Sequence, residues 1–195
     1  MSKDDFFSKV IFGWIKSDLE RMLEIKPIPE GDGNINFPLA LCSLADMEYL
    51  GSFFTGKEEN FKKNVGAYIS KCFDNPGDYQ INILADIFRN GLAHEFFARG
   101  GICRTETAMP LFVDDKFGVV LNADFLAKDF LKSLSKFKEN LSEEKYNARR
   151  ERALRIGSKK LEKNKEFINK LPKNGSPSYN TSSTDVSSTT TGPMG

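Results

Sequence analysis

The sequence predicts an all-α protein: an antiparallel bundle of four to five helices with a small β-hairpin insertion, followed by a long basic C-terminal helix. Apolar residues recur at three- and four-residue spacing along five stretches of residues 1–141. Strand character is confined to residues 109–122, where two short apolar runs flank Asp114-Asp115-Lys116. Residues 142–173 carry 11 Lys/Arg against 5 Glu, a charge excess suited to a solvated helix or to an anionic partner. The chain accordingly divides into a bundle domain, 1–141, a basic helical extension, 142–172, and a Ser/Thr-rich tail, 173–195. The tail has no apolar periodicity and is predicted to be disordered.

The first helix is expected over 4–25, burying Phe7, Ile11, Trp14/Ile15, Leu19 and Met22/Leu23, and ending at Pro27 and Pro29 before a loop at 30–34. Asn36 is placed to cap the second helix, with Pro38 in its first turn. Leu41, Leu44, Met47, Leu50/Gly51 and Phe54 form that helix's inner stripe, Tyr49 is assigned to the core as well, and Gly56 closes it. Asn60 caps a third helix over 61–73 that turns Val65, Tyr68/Ile69 and Cys72/Phe73 inward. After the turn Asn75-Pro76-Gly77, Asp78 is expected to cap a fourth helix, 79–97, with Ile83/Leu84, Ile87/Phe88, Leu92 and Phe96 apolar, stopping at Gly100-Gly101. The hairpin pairs 109–113 with 117–122. A fifth helix, 124–140, buries Phe125, Phe130, Leu131/Leu134 and Phe137, and Ser142 caps the basic helix. In that helix Leu154, Leu161 and Ile168 fall seven apart, but Arg150, Gly157 and Asn164 interrupt the seam, so no coiled coil is predicted.

Composition excludes several classes. Hydrophobic residues make up 39% of the chain and 17 are Phe, ample for one packed core. No apolar run approaches the ~20 residues of a membrane span, and the opening Met1-Ser2-Lys3-Asp4-Asp5 is acidic where a secretory signal is basic, so the protein is expected to be cytoplasmic. Cys42, Cys72 and Cys103 are too far apart for a zinc site and are read as buried thiols. The pair Asp114-Asp115 is read as a turn. No cofactor and no metal site is expected. Net charge is +1, yet residues 1–60 hold 6 Lys/Arg and 11 Asp/Glu, so the two ends of the chain differ strongly in sign.

Chemistry points to one segment, Arg89-Asn90-Gly91-Leu92-Ala93-His94. His94 is the only histidine, so any imidazole acid–base step near neutral pH must use it. Asn90 lies four residues before His94 and shares its helix face. Arg89 lies about 100° around from Asn90 on a regular helix. Arg89 and His94 therefore converge only if Gly91 lets the helix distort or a second subunit brings another motif alongside.

An Arg followed by a polar residue and, four to six residues on, a His on a late helix of a bundle resembles the active-site motif of the HEPN ribonuclease family. The resemblance covers residues 4–140 and is carried by Arg89, Asn90 and His94. It implies a homodimer whose two motifs share one cleft, and a metal-independent endoribonuclease acting on RNA in defence, stress response or a toxin–antitoxin pair. Members that pair with a nucleotidyltransferase-like antitoxin often carry a modified Tyr two residues after the His. That place holds Phe96 here, which puts such control in doubt. In the implied reaction the 2′-hydroxyl attacks the neighbouring phosphate. Neutral His94 is base or acid, Arg89 stabilises the phosphorane with paired donors, and Asn90 either orients His94 or holds a phosphate oxygen. The alternative reading is a non-catalytic module of the same type binding a nucleotide, RNA or a protein. A blander one pairs Arg89 with Asp86, three residues back, and leaves His94 as a helix-end residue.

Overall fold

In a computed structural model, residues 1–25, 35–95, 100–104 and 108–170 are described, with only the backbone given at 94–95. The expected stop at Pro27 and Pro29, the loop at 30–34, Phe96, the end of the fourth helix and the tail lie outside the described residues. The described chain is mostly helical with one small three-stranded sheet. No helix among these residues is long and apolar enough to cross a membrane.

Helix α1 runs through three consecutive segments, Lys3–Asp5, the π-helical Phe6–Ile15 and Lys16–Glu24. Ser2 caps it by accepting a hydrogen bond from the Asp5 N–H. The π segment explains one departure from expectation. Its wider turns carry one residue more than an α-turn, so the 3.6-residue stripe that would seat Trp14 drifts out of register. Phe6, Phe7 and Ile11 are buried, whereas Trp14 is 65% exposed.

Helix α2, Asn36–Thr55, is the central element and packs against α1 and most extensively against α3, Phe61–Cys72. It ends at Gly56, which takes φ 67°, a conformation that favours glycine. Asn60 caps α3 by accepting from the Lys63 N–H. Asn36 does not cap α2: it is already inside the helix, with Ile35 at the cap position, and its Nδ2 donates to the Cys103 carbonyl at 3.4 Å. The two helices touch backbone to backbone at Gly51, where a Cβ would overlap the Asn64 carbonyl. Asn64 is fully buried there; its Oδ1 accepts from the Thr55 hydroxyl and its Nδ2 donates to the Lys57 carbonyl at 3.1 Å.

A 3₁₀ turn at Pro76–Asp78 leads into α4, which consists of Ile81–Ile83, the π-helical Leu84–Arg89 and the α-helical Asn90–Glu95. Gln80, not Asp78, holds the cap position of α4, and it makes no side-chain cap bond. Tyr79 precedes the helix instead of opening it; it is buried and its hydroxyl donates to Asp129 at 2.8 Å.

The sheet has order β1-β3-β2, from β1 (Gly101–Arg104), β2 (Leu111–Asp114) and β3 (Gly118–Asn122). The β2–β3 hairpin is antiparallel, as expected, with Phe112 opposite Val120. At its tip Asp114 Oδ1 accepts from the N–H groups of Lys116 and Phe117, an Asx turn. Strand β1 departs from the expected pattern. It pairs parallel to β3, Gly101 opposite Val119, and a Cβ at Gly101 would stand 2.5 Å from the Val119 carbonyl. Gly101 thus starts a strand where sequence reading ends a helix.

Asn122 caps α5, Ala123–Asn140, by accepting from the Phe125 N–H. Phe130, Leu134 and Phe137 are buried as expected; Phe125 at 38% and Tyr49 at 39% are exposed instead. The core is an aromatic cluster in which Phe137 lies 5.6 Å from both Phe7 and Tyr68, ring centre to ring centre, and the Tyr68 hydroxyl bonds Ser133 at 2.8 Å. Of the cysteines, Cys72 and Cys103 are buried, but Cys42 is exposed.

Helix α6, Glu143–Lys163, starts where Ser142 accepts from the Lys145 N–H. The compact unit extends through Leu154, beyond the boundary expected at 141, because the first turns of α6 pack on the bundle. Tyr146 is 2% exposed, stacks on Phe53 at 6.3 Å, and donates its hydroxyl to the Met1 and Ser2 carbonyls. Arg149 donates from Nε to the Ser52 hydroxyl at 2.9 Å and pairs with Glu58 at 3.3 Å. The second unit, Arg155–Gly195, is helical in its described part, with α7 at Lys165–Ile168.

These contacts set a prediction. Tyr146→Ala should cost about 3–5 kcal/mol, because a buried aromatic ring is removed from a packed cluster. Tyr146→Phe should cost only about 1 kcal/mol, the lost hydroxyl bonds. Chain cut after Leu141 should be far less stable than chain cut after Leu154, measured by urea unfolding. Equal midpoints would show that the start of α6 is not part of the folded unit.

Candidate functional site

The motif lies on α4. The π turn Leu84–Arg89 closes with the Asn90 N–H bonded to the Ala85 carbonyl, and ordinary α-helix resumes from Asn90 to Glu95. The helix is distorted, therefore, but one turn before Gly91 and not at it. The buried stripe nevertheless runs on at four-residue spacing through Leu84, Phe88 and Leu92, with Arg89 beside it. Asn90 and His94 stand four residues apart on regular helix. Arg89 and His94 remain on diverging directions of the backbone. The side chain of His94 lies outside the described residues.

Arg89 is held by two other helices. Its Nη2 lies 3.4 Å from Glu48 Oε2 on α2, and its guanidinium sits 5.9 Å from the ring centre of Phe61 at the start of α3. The side chain is one-third exposed and Glu48 is more buried. An aromatic ring and a carboxylate thus flank the guanidinium. Asp86 does not pair with Arg89: it takes Lys62 of α3 at 2.9 Å. Asn90 is half-buried beside Arg89. The structure thus places Arg89 at the wall formed by α2 and α3, with Glu48 and Phe61 as neighbours that the sequence does not reveal, and shows no contact of the Asn90 side chain there among the described residues. Glu48 and Phe61 are contributed by distant segments, and neither spacing nor composition marks them.

A second group of ionisable side chains joins α1 to α2. Burial, reinforced by the negative charge of Asp18, pushes the Asp46 carboxyl up to about 7. Partial burial of the sulfur, then Asp46, then Asp18 push the Cys42 thiol up, so Cys42 stays a thiol rather than a nucleophilic thiolate although the residue is exposed. Burial raises Cys72 and Cys103 to about 12, the behaviour of structural thiols. Among the described residues no three His, Cys, Asp or Glu side chains gather in a metal-binding group.

Comparison with protein-family models, with curated proteins and with solved structures finds no match to this chain.

Asp46 gives a pH prediction. Its folded value lies above the ~3.9 of an unfolded aspartate, so the folded state favours the protonated form. The resulting stability is fully present below about pH 4 and is lost as pH rises toward 7. Asp46→Asn should therefore flatten this loss and should melt above wild type at about pH 8, but not at about pH 4. Identical melting curves at the higher pH would mean that the Asp46 carboxylate ionises without strain.

Proposed function

We propose that the chain is a metal-independent endoribonuclease acting as a homodimer, with Arg89, Asn90 and His94 as its catalytic residues and RNA as its substrate. The observation that carries the proposal is the setting of Arg89. A planar, permanently charged fork is flanked by Glu48 and the Phe61 ring while one-third of it stays exposed, directly before the helical turn that holds Asn90 and the only histidine. Transesterification of RNA needs those two groups and no metal: an imidazole to move the 2′-hydroxyl proton, and a rigid cation for the phosphorane. DNA lacks the attacking hydroxyl, so the chemistry selects RNA. Asn90 orients His94 or holds a phosphate oxygen. The divergence of Arg89 from His94 along the helix supports pairing of two motifs across a two-fold axis, where one subunit's Arg89 meets its partner's imidazole. A cytoplasmic role in defence, stress response or a toxin pair fits such an activity; Phe96 argues against control through a modified Tyr at that place.

One observation favours a second reading. Arg89 is already ion-paired with Glu48, which suits a non-catalytic module that binds a nucleotide, RNA or a protein through the same wall. Cleavage separates the two.

His94→Ala should abolish cleavage. Arg89→Lys should lower the rate by about 10²–10³, since the point charge of Lys cannot replace the paired donors. Asn90→Ala should be milder if it only orients His94. The Arg89 and Asn90 variants should melt near wild type, because these two residues are only partly buried, and so should His94→Ala. Light scattering should report a dimer. Wild-type binding of RNA without turnover would select the binding module. Unfolding of both the Arg89 and His94 variants would remove the catalytic reading.

A further inference from the structure

A second concentration of positive charge lies where α6 crosses the C-terminal end of α2, in a cleft of about 210 Å³ lined by Phe54, Gly56, Lys145, Arg149 and Arg152. The cations here fall into two kinds. Arg149 is committed to Ser52 and Glu58 and lies over the rings of Tyr49 and Phe53. Arg152 donates to the Gly56 carbonyl, at the negative end of the α2 dipole. Both therefore hold α6 in place. Lys145 and Lys71 are different. Each ammonium lies 5.8 Å from the centre of the same Phe54 ring, so the two are no more than twice that distance apart. Both residues are exposed, and among the described residues neither has a carboxylate partner. Lys71 ends α3 and Lys145 opens α6, so only the packing of α6 on the bundle brings them to one ring.

Two like charges held near one aromatic ring repel, and the Phe54 quadrupole offsets only part of that. An anion that both exposed side chains reach removes the repulsion and gains charge-assisted hydrogen bonds from both. The arginines behind it, Arg149 paired with Glu58 and Arg152 bonded to the Gly56 carbonyl, supply a floor already held by the bundle. We infer that the edge of this cleft, where Lys145 of its lining and the neighbouring Lys71 approach the one Phe54 ring, is a phosphate-binding site that takes the phosphate of a single-stranded nucleic acid. It is separate from Arg89 and does not rest on the cleavage reading.

The test uses the full-length protein and a fluorescent single-stranded oligomer of 2′-O-methyl ribonucleotides. Without an attacking hydroxyl the probe cannot be cleaved by transesterification, so binding is read independently of catalysis. Lys71→Ala combined with Lys145→Ala should weaken binding about tenfold. It should also flatten the slope of log affinity against log salt by about 1.4, from about 0.7 for each lost phosphate contact on a single strand. The control is Lys16→Ala combined with Lys128→Ala, which removes the same charge from lysines paired with Glu20 and Asp124. It should leave the slope unchanged. Competition with millimolar inorganic phosphate at constant ionic strength distinguishes the sources. Displacement means that a free phosphate suffices, and resistance assigns the site to the strand; either supports phosphate binding. An unchanged slope in the Lys71/Lys145 variant, with its fold verified by circular dichroism, overturns the inference. So does an equal loss in the control, which would leave net charge as the whole effect.

Discussion

At Gly51 the backbone of α2 lies against the backbone of α3, with the Asn64 carbonyl where any other residue would carry its Cβ. Much of the structure depends on that approach. It buries Asn64, whose amide ties the turn after α2 by bonding Thr55 and Lys57. It also makes one wall of two helices, and the residues one turn away from the contact, Glu48 on α2 and Phe61 on α3, are those that flank Arg89 of α4. Beyond Gly51, α2 ends at Gly56, and its exposed carbonyl end receives Arg152. The candidate site and the basic cleft are thus both built on α2, at different turns of it.

The two π-helical segments shape what that framework presents. In α4 the widened turn ends at Arg89, whose one-third-exposed side chain borders the stripe of Leu84, Phe88 and Leu92 that anchors the helix. In α1 a longer π segment buries Phe6 and Phe7 side by side and turns Trp14 outward. Pairing of aromatic rings then extends from Phe7 through Phe137 to Tyr68, and from Phe53 to Tyr146. This is how a segment with the composition of a solvated extension comes to contribute a core residue.

Non-local signals are not readable from sequence, and local ones are at several helix ends, though not at Asn36 or Asp78. Asn60, Ser142 and Gly56 end or begin helices through bonds to residues three or four away, and their types announce it. The hairpin is legible because its pairing partners are close in sequence. Strand β1 escapes a sequence reading because it pairs in parallel with β3, and its first residue, Gly101, reads as a helix terminator until the Val119 carbonyl is seen beside it. Trp14 belongs to the core only on a 3.6-residue period, which the π segment does not keep. At the site, Arg89, Asn90 and His94 can be named from residue type and spacing, but not Glu48, Phe61 or the Lys62–Asp86 pair, which come from other helices. Likewise, counting charges in residues 142–173 cannot show which cations are tied to the bundle and which, with Lys71 of another helix, remain at a common ring.

The chemistry of the product ends tests the central claim most directly. RNA incubated with the full-length protein in the presence of a chelator, and analysed by mass spectrometry, should yield fragments ending in 2′,3′-cyclic phosphate, because attack by the 2′-hydroxyl leaves no other first product. Fragments with 3′-hydroxyl and 5′-phosphate ends, or RNA left intact by a dimeric, folded protein, would contradict a site built on Arg89 and His94 for transesterification.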